Sequence, residues 1–329
     1  MDKVLGIIAE YNPFHNGHLY HITESKKRTN CKYTISVMSG NFTQRGNISI
    51  VNKWSKAEMA LKNGIDLVIE LPVLYATSSA ENFAEGSIKI LSALNIVDYI
   101  SFGCESSSIN ELINIANILA TEPFNYKKNL SSNLSNGISY PKARELALKE
   151  YLNNSSIDLN IISLPNNILA IEYLKALIKS QSSILPIGIP RYMSKHNETD
   201  FNNISNIASS TSIRNNIMKN SIENIKKFIP KNSYEILSQN FNSNTYIYDL
   251  NAFEQQILYN LRKMNTSDIA NIPDVSEGLE FLIKKSANKC TNLNELITCI
   301  KSKRYTRNKN SKNFTIQSAW NNKKRHEYI

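Results

Sequence analysis

The sequence has few cysteines and no evident cluster of carboxylates. Its four cysteines are Cys31, Cys104, Cys290 and Cys299, without C-x-x-C spacing and without histidines near them in sequence. This pattern argues against a disulfide framework and against a structural zinc site, and it favours reduced thiols in a cytoplasmic protein. The residues alone therefore predict no metal site held by the protein.

Long apolar runs are also missing. No stretch approaches the ~20 apolar residues that a transmembrane helix needs. The first apolar run ends at Ala9, before Glu10, which argues against a signal peptide. We therefore expect a cytoplasmic protein with no membrane partner.

The composition leaves room for a sizeable core and suggests a polyanionic partner. The chain has 329 residues, 41% of them hydrophobic, and a formal net charge of +10. That length fits one large domain or two of ordinary size. The basic balance is compatible with RNA, although a nucleotide-binding enzyme could carry it too.

The segment Val4–Tyr20 is the most informative part of the chain. It predicts an apolar strand, a turn at Asn12-Pro13, and a helix that begins within His15-Asn16-Gly17-His18. Unpaired N–H groups and the helix dipole favour an anion at such a helix start. His15 and His18 lie three residues apart and can point to the same side, so phosphate is the expected ligand.

Strands and helices are predicted to alternate after this segment. The predicted strands cover residues 33–38, 66–71, 98–102 and 184–189, and the predicted helices cover residues 18–27, 53–61, 78–94 and 169–178. This alternation is typical of a parallel sheet with helical crossovers, a Rossmann-like α/β fold. Ligand-binding groups are expected where the strands end.

Several polar residues and one glycine follow these strands. Gln44 and Arg45 are candidate substrate or phosphate contacts, or simply part of a solvated turn. Gly103 lies at the end of the 98–102 strand, and Asn166 could cap a helix or bind a nucleotide. Arg191 follows the 184–189 strand, and its guanidinium suits a phosphate.

The segment 208–214 is a second candidate anion site. Hydroxyl groups lead there into a predicted helix with an arginine in its first turn, and the candidate ligands are Ser209, Thr211 and Arg214. We place a domain boundary after it, with residues 1–218 as the domain that holds the predicted anion sites and 219–329 as a smaller all-helical region. The basic tail beyond residue 300 contains aromatic residues, which suits RNA or a solvated end.

The pattern H-x-G-H after a first strand resembles the signature of the HIGH-motif nucleotidyltransferase superfamily. A closer match comes from combining that signature with other segments. Residues 7–20, Met38–Gly46, Asp66–Pro72, Pro165–Leu169 and Ser209–Arg214 look like the bacterial tRNA(Met) cytidine acetate ligase family. The resemblance covers roughly residues 3–305. The sequence departs from the family at Asn47-Ile48, where Glu-Pro is usual.

The resemblance implies a ligase with three substrates. It would activate acetate with ATP, release pyrophosphate and transfer the acetyl group to N4 of the wobble cytidine of elongator tRNA(Met). Mg²⁺ is expected with ATP, and the helical region would hold the tRNA. His15 and His18 would meet the phosphates. The implied ATP site comprises Ile7, Ile8, Ala9, Glu10, Tyr11, Asn12, Pro13, Phe14, His15, Asn16, Gly17, His18, Leu19, Tyr20, Gly103, Asn166 and Arg191.

Two other functions remain open at this stage. An adenylyltransferase of cofactor synthesis would use the same phosphate chemistry, but such proteins are usually shorter and lack the basic helical region. A tRNA-binding protein without catalytic activity would bind RNA without releasing pyrophosphate. The oligomeric state is also open.

Overall fold

One parallel sheet organises the molecule. The computed structural model describes residues 2–105, 109–153, 159–190, 206–219, 222–243, 250–272, 275 and 278–301. Within these residues, the strands are β1 (Val4–Ala9), β2 (Tyr33–Ser39), β3 (Leu67–Leu71), β4 (Tyr99–Cys104) and β5 (Leu185–Pro190). All of their pairings are parallel, as predicted.

Helices account for most of the remaining described residues. They are α1 (Asn16–Thr29), α2 (Lys53–Leu61), α3 (Val73–Ala76), α4 (Ala80–Ala93), α5 (Ile109–Thr121), α6 (Phe124–Ser135), α7 (Tyr140–Tyr151), α8 (Pro165–Lys179), α9 (Ser210–Lys219), α10 (Lys231–Asn242), α11 (Glu254–Lys263), α12 (Thr266–Ala270), α13 (Leu279–Lys289) and α14 (Leu293–Ile300). Short 3₁₀ segments lie at Leu159–Ser163, Ile222–Phe228 and Leu250–Phe253. Among the described helices, none is long and apolar enough to cross a bilayer.

The strand order fixes where a ligand can bind. The order is β3-β2-β1-β4-β5, so the chain runs outward from β1 to β3 and then resumes beside β1 with β4. Loops that leave β1 and β4 therefore diverge at the carboxyl edge and leave a crevice between them. This topology confirms the predicted α/β, Rossmann-like class, and α11–α14 supply the smaller helical region.

Two apolar clusters cover the two faces of the sheet. Helices α4, α5 and α8 pack on one face, where Val37, Ile100 and Phe102 are buried. The opposite cluster joins Leu5 and Ile7 of β1 to residues of α1, α2 and α9. Central parallel strands are covered on both faces, which explains their nearly continuous apolar sequence.

The segment 222–243 packs with the sheet. Ile225, Phe228, Ile236 and Leu237 lie in the same buried cluster as Leu5 of β1. Residues from Leu250 onward form a separate cluster with a core of their own. The division of the chain at residue 218 remains a prediction, and this packing favours an alternative division between residues 243 and 250.

Truncation of Phe228 tests this packing. Its side chain is fully buried, so we expect Phe228→Ala to lower the free energy of unfolding by about 3–5 kcal/mol. Chemical denaturation measures this change. Phe124→Ala is the matched control, because Phe124 on α6 is 81% exposed, and its effect should stay within about 0.5 kcal/mol. A loss similar to that of the control would contradict the proposed packing of 222–243.

Candidate active site

His15 caps the helix that starts at the carboxyl edge of β1. Its Nδ1 accepts the backbone N–H of Gly17 at 3.0 Å, and Nδ1 of His18 accepts the N–H of His15 at 3.2 Å. These reciprocal bonds form a capping box built from imidazoles. Because Nδ1 accepts in both rings, each neutral imidazole carries its proton on Nε2. Both histidines therefore offer an Nε2–H donor.

Aromatic neighbours hold the two rings in place. The imidazoles of His15 and His18 stack with centroids 3.7 Å apart. Tyr11 and Phe14 contact the His18 ring with centroids at 4.8 and 5.5 Å. Both aromatic side chains are fully buried, so they act as the floor under His18. Tyr11 adopts a left-handed backbone conformation with φ of 44°, and the following Asn12-Pro13 peptide is cis.

Gly17 is required by the position of His15. A Cβ atom on Gly17 would lie 2.9 Å from Cε1 and 3.0 Å from Nδ1 of His15. Those distances are shorter than van der Waals contact, so any other side chain would displace the imidazole. The glycine of H-x-G-H therefore permits the cap that the first histidine forms.

The first turn of α9 meets the first turn of α1. Nε2 of His15 lies 3.0 Å from the hydroxyl of Ser210, the first residue of α9. Asn16 donates from Nδ2 to the carbonyls of Asn206 and Lys227 at 2.8 and 2.9 Å. Two helix N-termini thus converge on one point, which concentrates positive dipole ends where an anion would bind.

Arg214 brings a full positive charge to the same edge. Its guanidinium donates to the carbonyl of Asn12 at 2.7 Å and to the hydroxyl of Thr211 at 3.2 Å. Burial lowers the pKa of Arg214, Glu10 opposes this shift, and the charge of Arg45 adds to it. Arg45 and Arg214 therefore interact electrostatically, and an anion between them would relieve their repulsion.

In the second candidate anion site, at 208–214, the hydroxyl of Ser209 has a structural role. Ser209 accepts the N–H of Ser212 at 3.1 Å and so caps α9. Ser209 and Thr211 flank Ser210, which contacts His15, and Arg214 bonds to Asn12 and Thr211. The assignment of Ser209, Thr211 and Arg214 as phosphate contacts remains a prediction.

The loop 40–50 links β2 to the His15 segment. The backbone N–H of Gln44 donates to Oε1 of Glu10 at 2.6 Å, and the N–H of Ile50 donates to Oδ1 of Asn12 at 2.8 Å. The side chain of Gln44 donates to the carbonyl of Ser78, while Arg45 is exposed. This loop therefore carries the two predicted contact residues, Gln44 and Arg45, and is bonded to the segment that follows β1.

Lys56 lies beneath that loop and is fully buried. Its ammonium donates to the carbonyls of Ser39 and Gly40 at 2.8 and 2.7 Å, and to the hydroxyl of Ser49 at 3.1 Å. Burial lowers the pKa of Lys56 to about 8, and the charges of Glu10 and Glu70 oppose the shift. Lys56 is therefore the internal anchor of the loop.

The edge of β4 is organised differently from the prediction. Gly103 is part of β4 and pairs with Ile189. Helix α8 begins at Pro165, so Asn166 lies inside its first turn and the predicted capping role is wrong. Proline fits the first helical position and starts the helix earlier. Asn166 instead donates from Nδ2 to Oε1 of Glu105 at 2.7 Å.

Other predicted ATP-site residues contribute mainly to packing. Ile7 is buried in the sheet, and Ile8, Ala9 and Leu19 pack against the two clusters. Tyr20 is half-buried on α1. Their backbone at the end of β1 can still line a ligand. Arg191 follows β5 directly but lies outside the described residues.

Three residues of the site were not identified from sequence. Ser210 lies in the predicted anion segment 208–214 but was not singled out, and Glu105 gave no signal, because the partners of both residues are distant in the chain. Lys56 could have been found, since it lies three and four residues before Met59 and Ala60 on the apolar face of α2. A lysine on an apolar helical face predicts a buried, hydrogen-bonded ammonium.

Among the described residues, no group of three or more His, Cys, Asp or Glu side chains is placed to hold a metal ion. Glu10 faces the positive charges of Lys56 and Arg214.

These features define a nucleotidyltransferase of the HIGH type. The chain matches the HIGH nucleotidyl transferase family over residues 2–324. The match includes the capping histidines, the parallel sheet and the helical region. The predicted relation to this superfamily is confirmed.

Close relatives give a narrower assignment. The tRNA(Met) cytidine acetate ligase of Thermoanaerobacter sp. (strain X514) is 52% identical over 303 residues, which cover 92% of this chain and 74% of the relative. The protein of the same name from Caldanaerobacter subterraneus is 48% identical over 308 residues, covering 92% and 75%. This chain belongs to the tRNA(Met) cytidine acetate ligase family.

Solved structures agree with the described fold. The crystal structure of Thermotoga maritima TmcAL bound with alpha-thio ATP is 35% identical, with a TM-score of 0.88, covering 96% of this chain and 74% of that chain. The apo form of TmcAL gives a TM-score of 0.90. An ATP analogue therefore binds to a protein of this fold.

The pH dependence of stability tests the burial of Lys56. The pKa of its ammonium falls from 10.5 to about 8 on folding. The unfolded chain therefore binds more protons than the folded chain between these values. In that window the contribution of Lys56 to stability rises with pH, by about 1 kcal/mol per pH unit.

We expect the stability of the wild type relative to Lys56→Met to increase between pH 8 and 10. Chemical denaturation at several pH values measures this difference, and effects of other groups cancel in it. Lys128→Met, at an exposed position of α6, is the matched control. If the difference in stability between the wild type and Lys56→Met did not change with pH, the pKa of Lys56 would not be lowered on folding, and the ammonium would stay charged through its hydrogen bonds.

Proposed function

We propose that this protein is an ATP-dependent ligase that acetylates N4 of the wobble cytidine of elongator tRNA(Met). The proposal rests on the convergence of two helix N-termini, where Nε2 of His15 lies 3.0 Å from the hydroxyl of Ser210, an arrangement that suits a polyphosphate. The names of the relatives support acetate and tRNA(Met) as the other substrates. The described residues carry the phosphate chemistry, and the family relation carries the acyl and RNA specificity.

The first proposed step is adenylation of acetate. A carboxylate oxygen of acetate forms a bond to the α-phosphorus of ATP as the bond to pyrophosphate breaks. Catalysis of this displacement requires alignment and donors aimed at the developing charge. The Nε2–H groups of His15 and His18, the two helix N-termini and Arg214 supply such donors. The cap bonds to Nδ1 orient both imidazoles before ATP arrives.

The second proposed step transfers the acetyl group to RNA. N4 of cytidine attacks the carbonyl carbon of acetyl-adenylate, AMP leaves with the bonding electron pair, and N4 loses a proton. The loop 40–50 is well placed to guide this step, because it contacts Glu10 and Asn12 on one side. On its other side Ile48 is buried in the cluster of the helical region.

We further propose that Mg²⁺ arrives with ATP, bound by phosphate oxygens and water, as is usual for this ion. A cytoplasmic location is proposed because both ATP and tRNA are found there. We include Gly103, Asn166 and Arg191 in the proposed nucleotide site, because in the sequence they follow or end the strands β4 and β5 or begin helix α8.

The activity is tested with purified protein, ATP, labelled acetate and tRNA(Met). We expect acetate-dependent exchange of pyrophosphate into ATP in the absence of tRNA, and N4-acetylcytidine at the wobble position when tRNA is added. Exchange without acetylcytidine would support adenylation and refute RNA acetylation. Binding of tRNA without exchange would identify a non-catalytic RNA-binding protein.

Two substitutions of His18 separate the capping role of its Nδ1 from the proposed role of its Nε2–H as a phosphate donor. In His18→Asn, the amide oxygen replaces Nδ1 and can still accept the N–H of His15, but the Nε2 donor is lost. In His18→Gln, the amide nitrogen reaches the Nε2 position. We expect His18→Asn to slow pyrophosphate exchange about 10²–10³-fold, with a smaller loss in His18→Gln. Equal, unchanged rates in both variants would show that His18 is not a phosphate donor.

A further inference from the structure

The exposed face of the helical region combines aromatic and basic side chains. Tyr259 on α11 is 62% exposed, and Phe281 on α13 is 63% exposed. Lys263 and Lys285 follow these aromatics by four residues on the same two helices, and both lysines are exposed. An i,i+4 pair lies on one helical face. We call Tyr259, Lys263, Phe281 and Lys285 the aromatic–basic ridge.

The two halves of the ridge flank one helix junction. Arg262 on α11 donates to the carbonyls of Ala287 and Cys290 at 2.8 Å each, at the end of α13. In return, Lys284 on α13 donates to the carbonyls of Arg262 and Met264 at 2.5 and 2.7 Å, at the end of α11. Each helix therefore caps the carboxyl end of the other.

Each exposed aromatic residue lies near this junction. Tyr259 precedes Arg262 by three residues, and Phe281 precedes Lys284 by three residues, so each aromatic is adjacent to a cation that crosses between the helices. The reciprocal caps fix the relative position of α11 and α13. The two aromatic rings are therefore displayed on a rigid support.

The charges at this surface favour a polyanion. Carboxylates of the region are used internally: Glu254 accepts the N–H of Leu293, Asp268 that of Asn265, and Glu295 that of Thr291. Lys263 and Lys285 form no ion pair with another described residue. Three of the four described carboxylates of this region are thus bonded to backbone N–H groups, and the fourth, Glu280, is half-buried next to Phe281. The positive charges of Lys263 and Lys285 outnumber this one carboxylate.

The helical region also contacts the proposed active site. Ile48 is 5% exposed and lies in the same buried cluster as residues of α11 and α13. Phe42 packs against that cluster and forms a β-bridge with Ile48. The loop that carries Gln44 and Arg45 is therefore attached to the region that carries the ridge. RNA seated on the ridge would be held next to the nucleotide edge.

We propose that the aromatic–basic ridge is a docking surface for single-stranded RNA, with Tyr259 and Phe281 stacking on unpaired bases and Lys263 and Lys285 contacting phosphates. Unstacked bases of an RNA loop pair with exposed aromatic rings in this way, and lysines track the backbone. The inference rests on the proposed function, because a tRNA substrate presents such a loop.

Affinity for an in vitro transcript of elongator tRNA(Met) tests the proposal, measured with the full chain by fluorescence anisotropy. We expect Tyr259→Leu and Phe281→Leu each to weaken binding about tenfold, because leucine retains apolar bulk but cannot stack. Tyr259→Phe should restore wild-type affinity. Phe124→Leu is the matched control, since Phe124 is 81% exposed on α6, and it should bind as the wild type does.

The lysines are tested through the salt dependence of the same affinity. Each of Lys263→Gln and Lys285→Gln should reduce the slope of log affinity against log salt concentration by about 1. Arg28→Gln on α1 is an exposed control that should leave the slope unchanged. Unfolding curves of all variants should match that of the wild type, because every substituted side chain is exposed.

Several outcomes would overturn the proposal. These are wild-type affinity in both leucine variants, an equal loss in Phe124→Leu, or no tRNA binding by the wild type. A change in sedimentation with unchanged tRNA affinity would identify the ridge as a contact between copies of the chain. Acetate-dependent pyrophosphate exchange is measured on the same samples. If exchange is present while the binding results contradict the ridge, the docking proposal fails and the proposed adenylation stands.

Discussion

The double hydrogen bond of the His15 imidazole is the constraint on which the site depends. Nδ1 caps α1 through the Gly17 N–H, and Nε2 meets the Ser210 hydroxyl at the start of α9. Two helix N-termini are thereby held together although their dipoles repel. An anion bound between them would relieve this repulsion, and each helix end contributes ~0.3–1 kcal/mol toward that anion. The fold stabilises this arrangement in advance through Asn16 and the apolar cluster around Phe14.

The strand order explains why these groups meet at one edge. The strands β2, β1 and β4 are neighbours and run parallel, so the loops that follow them all lie at the carboxyl edge of the sheet. The loop 40–50 bonds to Glu10 and Asn12, while Glu105 holds Asn166 at the start of α8. The carbonyls of Ser39 and Gly40 need hydrogen-bond donors, and the Lys56 ammonium supplies them in place of water. A buried ammonium that donates to oxygens of Ser39, Gly40 and Ser49 thus satisfies the buried acceptors of this turn.

Local sequence patterns predicted much of this architecture. Helix α2 was predicted at its observed bounds, and β2 within one residue. The start of α8 was missed because the apolar pattern begins at Leu169, whereas the proline at position 165 sets the first turn. The contact of His15 with Ser210 joins residues 195 positions apart. Periodicity reports local geometry and burial, so it cannot identify such a partner, and it cannot show which cluster the segment 222–243 packs against.

Apolar packing, rather than charge, attaches the helical region to the active-site loop. Ile48 is buried among residues of α11, α13 and α14, and burial of an isoleucine side chain contributes about 1.5–3 kcal/mol. Salt screens exposed charges but leaves this contact nearly unchanged. An RNA bound through exposed lysines can therefore dissociate as salt rises while the helical region keeps its position.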